Sequence, residues 1–176
     1  GKPLPVPSYP QATSGVRITP PQHITVFNGS PRGRKGNSPI LLEQVMKGFT
    51  SVEGNTYEIH PLNHIHQAEE FVKAYEQAQA VMLGFPLYTD AMPGIVKPFI
   101  ESLEPFKNRP NNPPIGFLVQ SGFPEARHSR FVEQYLKKFA ERMGSPFLGV
   151  LLRGNCEGIH LMPENMTRSV FTPLQQ

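Results

Sequence analysis

The feature that most constrains this chain is an alternation: from about residue 23 onward, short β-rich runs take turns with segments of helical period. The runs fall at residues 24–27, 56–59, 80–85, 115–119 and 147–152, which predicts five strands. Between the first two, Leu41, Leu42, Val45, Met46 and Phe49 recur at the spacing of a helix with one apolar face. Ser38 stands where a cap is needed and Pro39 suits the first helical position. Ala68, Phe71, Val72 and Tyr75 predict a second helix; Ile95, Val96, Phe99, Ile100 and Leu103 predict a third, with Pro98 tolerated only near its first turn. Phe131, Val132, Tyr135, Leu136, Phe139, Ala140 and Met143 predict a fourth, closed by Gly144. Strict alternation implies an α/β fold with a parallel sheet covered on both faces, because parallel strands need crossovers and these are right-handed. Ligands of such sheets bind beyond the carboxyl ends of the strands.

A chain of 176 residues is long enough for one core and short for two domains. Residues 1–22 hold Pro3, Pro5, Pro7, Pro10, Pro20 and Pro21 with neither structural period, so they read as a proline-rich arm ahead of one domain at 23–176. A net charge of +3 drawn from 18% charged residues implies no broad nucleic-acid surface, whereas a small anion would be attracted. No apolar run approaches the roughly 18 residues needed to span a bilayer, and Gly1 is not followed by a basic and then a hydrophobic stretch. Neither a membrane nor an export signal is expected. Cys156, the one cysteine, excludes an intramolecular disulfide and any CxxC site, and a reducing cytoplasm is the natural setting.

The informative stretch is NGSPRGRKGNS over residues 28–38, which joins the first strand to the first helix. A loop that ends in a helix N-terminus offers unpaired N–H groups and the positive end of the helix dipole, and both favour an anion. Ser30, Asn37 and Ser38 can add side-chain hydrogen bonds, and Arg32 can add charge. The spacing fits neither GxxxxGK[ST] nor GxGxxG, which argues against a nucleoside triphosphatase and a dinucleotide-binding first turn. Cys156 lies too far away to serve as a phosphatase nucleophile in this loop. What remains is a monophosphate held without metal, set against the plainer reading of a basic turn that happens to cap a helix.

The third strand runs into Pro86, Leu87, Tyr88, Thr89, Asp90, Ala91 and Met92 before the next helix, at the same sheet edge as the first loop. Apolar and aromatic residues with stiff prolines suit a flat heterocycle better than a second phosphate, although Tyr88 and Met92 by themselves could be simple packing residues.

Taken in order, GSPR and NS after the first strand and the P-LY, MPG and K-FIE elements after the third resemble the NAD(P)H-dependent FMN reductases of the flavodoxin-like superfamily, over roughly residues 24–162. The resemblance implies a three-layer sandwich whose five-stranded parallel sheet has the order 2-1-3-4-5. It implies that Ser30, Arg32, Asn37 and Ser38 hold the FMN phosphate and that Pro86, Leu87, Tyr88, Thr89, Asp90 and Met92 border the isoalloxazine. Ser121 and Gly122, after the fourth strand, are candidates for the other side of the flavin. A homodimer or larger homo-oligomer, in which the partner helps cover the flavin, is also implied. Similar proteins tend to carry glycine where this chain has Asn155 and Cys156, which leaves the role of that loop open.

The function so implied is an FMN-dependent oxidoreductase that takes hydride from NAD(P)H and passes electrons to a quinone, a flavin or another small acceptor. With a flavin bound the difficult chemistry belongs to the cofactor, so no side chain is assigned as catalytic acid or base. The alternative is a flavodoxin-like electron carrier or flavin-binding module without NAD(P)H turnover; such carriers are usually acidic, and this chain is basic. His64 and His66 have a metal-like spacing without a third ligand and read as a solvated loop; no metal is expected.

Overall fold

The computed structural model describes residues 22–87, 92–121, 126–153 and 159–161. Its strands are β1 (His23–Asn28), β2 (Thr56–Pro61), β3 (Ala80–Leu87), β4 (Ile115–Ser121), β5 (Phe147–Arg153) and β6 (Ile159–Leu161), and its helices are α1 (Asn37–Thr50), α2 (Ala68–Gln77), α3 (Val96–Ser102) and α4 (Ala126–Met143). The sheet order is β2-β1-β3-β4-β5-β6. The first five strands pair in parallel, in the expected 2-1-3-4-5 order, and the fold is flavodoxin-like. The sheet has one strand more than the sequence reading gave it. Three-residue β6 runs antiparallel to β5 at the edge, too short to show a period.

Side chains alternate across each strand, so a strand covered on both faces feeds two cores. On one face Ile24, Val26, Ala80, Met82 and Leu118 pack against Leu41, Leu42, Val45, Met46 and Phe49 of α1. That is the stripe the 3.6-residue period marks out. On the other face Phe27, Val81, Leu83, Phe85, Phe117 and Val119 pack against Phe71 and Tyr75 of α2, Val96 and Phe99 of α3, and Leu136, Ala140 and Met143 of α4. Tyr135, expected on the same stripe, is exposed instead: it stands about 100° round the helix from Leu136, off the buried face. Burial pushes the Tyr75 phenol up, against the opposing pull of its contact with the Ser145 hydroxyl and of Arg109.

Local signals account for several of the element ends. At the C-terminus of α4, Gly144 has φ +71°, and the Gly144 and Ser145 N–H groups donate to the Glu141 and Ala140 carbonyls, the double bond of a Schellman ending. Pro98 lies in the first turn of α3, where a missing N–H costs little. The start of α1 departs from expectation. Gly36 is the capping residue and Ser38 is already inside the helix, so the Ser38 side chain does not cap it. The expected arm at residues 1–22 lies, apart from Gln22, outside the described residues.

This topology positions a site. The chain leaves β1 for β2 on one side and returns to β3 on the other, so the C-terminal ends of β1 and β3 sit at the switch in strand order where a crevice opens. The parallel strands β1, β3 and β4 all end at that edge.

Candidate functional site

The loop after β1 is shaped by Asn28. Buried at the end of the strand, its Oδ1 accepts from the Ser30 N–H at 3.1 Å and its Nδ2 donates to the Gly33 carbonyl at 3.5 Å. An asparagine that bonds to backbone two residues on is an Asx turn. Further bonds wind the loop tighter: Gly33 N–H to the Ser30 carbonyl at 3.0 Å and Lys35 N–H to the Arg32 carbonyl at 3.1 Å. Gly33 has φ +54°, a left-handed conformation that disfavours a side chain, and the amide of Asn63, in the turn two residues beyond β2, fills the space where its Cβ would be. The loop is tied to the sheet at its root, since the Gly29 N–H donates to the Gly84 carbonyl of β3 at 2.7 Å.

Two buried serines stand at the start of α1. Ser30 is only 3% exposed, and its Oγ sits where a Cβ on Gly36 would project, which brings it beside the helix N-terminus. Ser38, also 3% exposed, lies in the first helical turn and donates to Gln120 Oε1 of β4 at 3.4 Å. Asn37 opens the helix, whose first-turn N–H groups have no acceptor within it. Arg32 is exposed at the head of the short 3₁₀ turn Gly33–Lys35, and among the described residues it is held by no carboxylate. Hydroxyl donors, N–H groups at a positive helix end and an uncommitted guanidinium form a donor set that fits a phosphate monoester, the end group of FMN.

The residues expected near a ring are placed in part. Pro86 and Leu87 end β3, half-buried, and they pair in register with Gln120 and Ser121 of β4, so the C-terminal ends of the two strands lie side by side. Met92 packs on the edge of the larger core cluster. Tyr88, Thr89, Asp90 and Gly122 lie outside the described residues, as does Cys156. His64 and His66 are exposed. Sequence reasoning missed Asn28 and Gln120 as shapers of this site. The Asx-turn spacing of Asn28 to Ser30 was available as a signal, but nothing local could have announced a contact between Ser38 and Gln120.

The family model of the NADPH-dependent FMN reductases matches residues 23–150, which take in β1 through most of β5 and all the loops just described. The chain belongs to that family. Membership makes it an FMN-dependent oxidoreductase at the coarse level. A search of curated protein sequences finds no match. Among solved structures, the family fold is shared with an NADH:FMN oxidoreductase in its apo form, at 16% identity and a TM-score of 0.65 over 88% of this chain and 87% of that one. An oxidoreductase from Corynebacterium diphtheriae is 13% identical with a TM-score of 0.64, covering 86% and 92% of the two chains. An azoreductase from Bacillus anthracis is 14% identical with a TM-score of 0.60, covering 88% and 95%. Identities this low speak for the fold alone. No helix among the described residues is long and apolar enough to cross a membrane.

Proposed function

We propose that this reductase-family chain binds FMN at the crevice above β1, β3 and β4, takes hydride from NAD(P)H and delivers electrons to a quinone, a flavin or another small acceptor. The observation that carries the reading is the placement of two buried serines, Ser30 and Ser38, at the N-terminus of α1, with Arg32, which among the described residues meets no carboxylate, in the same loop. In this reading Ser30, Asn37 and Ser38 donate hydrogen bonds to the phosphate and Arg32 neutralises its charge. Pro86, Leu87, Tyr88, Thr89, Asp90 and Met92 border the ring, and Ser121 and Gly122 approach its other side.

Bound FMN supplies the chemistry of accepting hydride from a nicotinamide and passing electrons on. The chain's own residues bind and orient. Asn28 keeps the phosphate loop wound, the helix start places partial positive charge at the phosphate, and the stiff end of β3 at Pro86 gives the ring edge a fixed wall. No side chain is assigned as acid or base. A homodimer whose partner helps cover the flavin, working in the cytoplasm, completes the proposal; a chain with a single cysteine suits a reducing compartment.

The test is a visible absorption spectrum after incubation with FMN and desalting, followed by NADPH or NADH without oxygen. Retained flavin bands that bleach support the reductase. Retained bands that persist point to an electron carrier, and loss of all flavin on desalting refutes the cofactor site.

A further inference from the structure

We infer that Gln120 is a positioning residue that sets the direction of the Ser38 hydroxyl, and through it the preference for a flavin carrying a phosphate over one without. The inference rests on the FMN reading above and adds to it a residue from a different strand. Gln120 is the penultimate residue of β4, half-buried, and lies on the α1 side of the sheet with Leu118, two residues before it. There its Oε1 accepts from the Ser38 hydroxyl at 3.4 Å, across 82 residues of chain.

A serine hydroxyl has one proton and two lone pairs, and a phosphate oxygen of FMN at neutral pH accepts hydrogen bonds. In the present structure the Ser38 proton points at Gln120. An arriving phosphate needs that same proton, and once Ser38 turns to give it, Oε1 faces only lone pairs. An amide resolves the conflict because it carries an acceptor and a donor on one carbon. Rotated about its last torsion, Gln120 presents Nε2–H to Ser38 Oγ, and the order becomes Gln120 to Ser38 to phosphate, with every bond running the same way and each polarising the next. Glutamate at 120 could only accept, and it would set a negative charge beside the phosphate. Methionine would match the shape while offering neither donor nor strong acceptor.

The experiment measures dissociation constants for FMN and riboflavin by quenching of flavin fluorescence. It uses the full chain as wild type, Gln120→Met, Gln120→Glu, Ser38→Ala and the Ser38→Ala/Gln120→Met double variant, with melting curves to confirm folding. Gln120→Met should weaken FMN about fivefold, a typical share for one hydrogen bond, and Gln120→Glu more than that, while riboflavin stays within about twofold. In the Ser38→Ala background, Gln120→Met should change nothing, because its action runs through a hydroxyl no longer there. An equal loss in both backgrounds, or an FMN-to-riboflavin ratio that neither variant moves, overturns the role of Gln120. If Gln120→Glu fails to fold, the cycle with the near-isosteric methionine decides alone. A wild type that holds FMN no better than riboflavin refutes the phosphate site itself, and this inference with it.

Discussion

The Ser30 hydroxyl lies in the space that a side chain on Gly36 would occupy. The backbone at Gly36 (φ −82°, ψ 170°) is open to any residue, so the glycine is required by its neighbour and not by its own conformation. Gly36→Ala should force Ser30 to rotate its hydroxyl away from the helix start. The expected result is a loss of about 10-fold or more in FMN affinity, the size of one hydrogen bond to a charged group. Melting should shift by only a few degrees, roughly what a changed N-cap costs. Flavin titration and a thermal melt on the same preparation check both halves.

Gly33→Ala should act on stability first. It places a Cβ at φ +54°, a cost of about 1–2 kcal/mol, and drives it into the Asn63 amide. Urea unfolding should show that loss. Adding Asn63→Ala should return the steric part and leave the backbone part, and an unchanged double variant would falsify the assignment of the clash.

Phe27 joins the aromatic side chains of the larger core: its ring centroid is 4.5 Å from that of Phe99, 5.5 Å from His60 and 6.5 Å from Phe71. It is fully buried. Phe27→Ala should cost about 3–5 kcal/mol in chemical denaturation, the range for an aromatic deleted from a packed core.

Glu58 couples stability to pH at the sheet's β2 edge. Burial raises its carboxyl, but the hydrogen bond with His23, the charge of His60 and the Thr25 hydroxyl outweigh burial and hold it below the ordinary value. His60 Nε2 lies 3.1 Å from Glu58 Oε2, close enough for the contact to lower the carboxyl further. A depressed carboxyl favours the folded state above its unfolded pKa, and that contribution disappears as pH falls through the lowered folded value. The group is half exposed, so the contribution is at most about 1 kcal/mol. Glu58→Gln should therefore flatten the acid limb of a stability-versus-pH curve while leaving the rest parallel to wild type.

The parts of this fold that were legible from sequence are those in which a period repeats. Leu41, Leu42, Val45, Met46 and Phe49 announce a helical face because all five meet the same sheet, and each is buried. The five parallel strands follow from short apolar runs between such helices. Where a residue answers to a distant partner, the letters mislead or say nothing. Ser38 resembles a cap by its place before Pro39, yet its hydroxyl serves β4 instead. Strand β6 has too few residues to show an alternation. Gly36 looks like one more flexible loop glycine until Ser30 is seen beside it.

Gly29 carries a last consequence. Its N–H is bonded to the Gly84 carbonyl at 2.7 Å, and any side chain added to it would strike Val96, Phe85 and that same carbonyl. The root of the first loop is thus clamped between a neighbouring strand and the helix that follows that strand. The two loops cannot be retuned separately: a mutation that shifts β3 or α3 drags the first loop along, so engineering of one wall of the crevice must be read out at both.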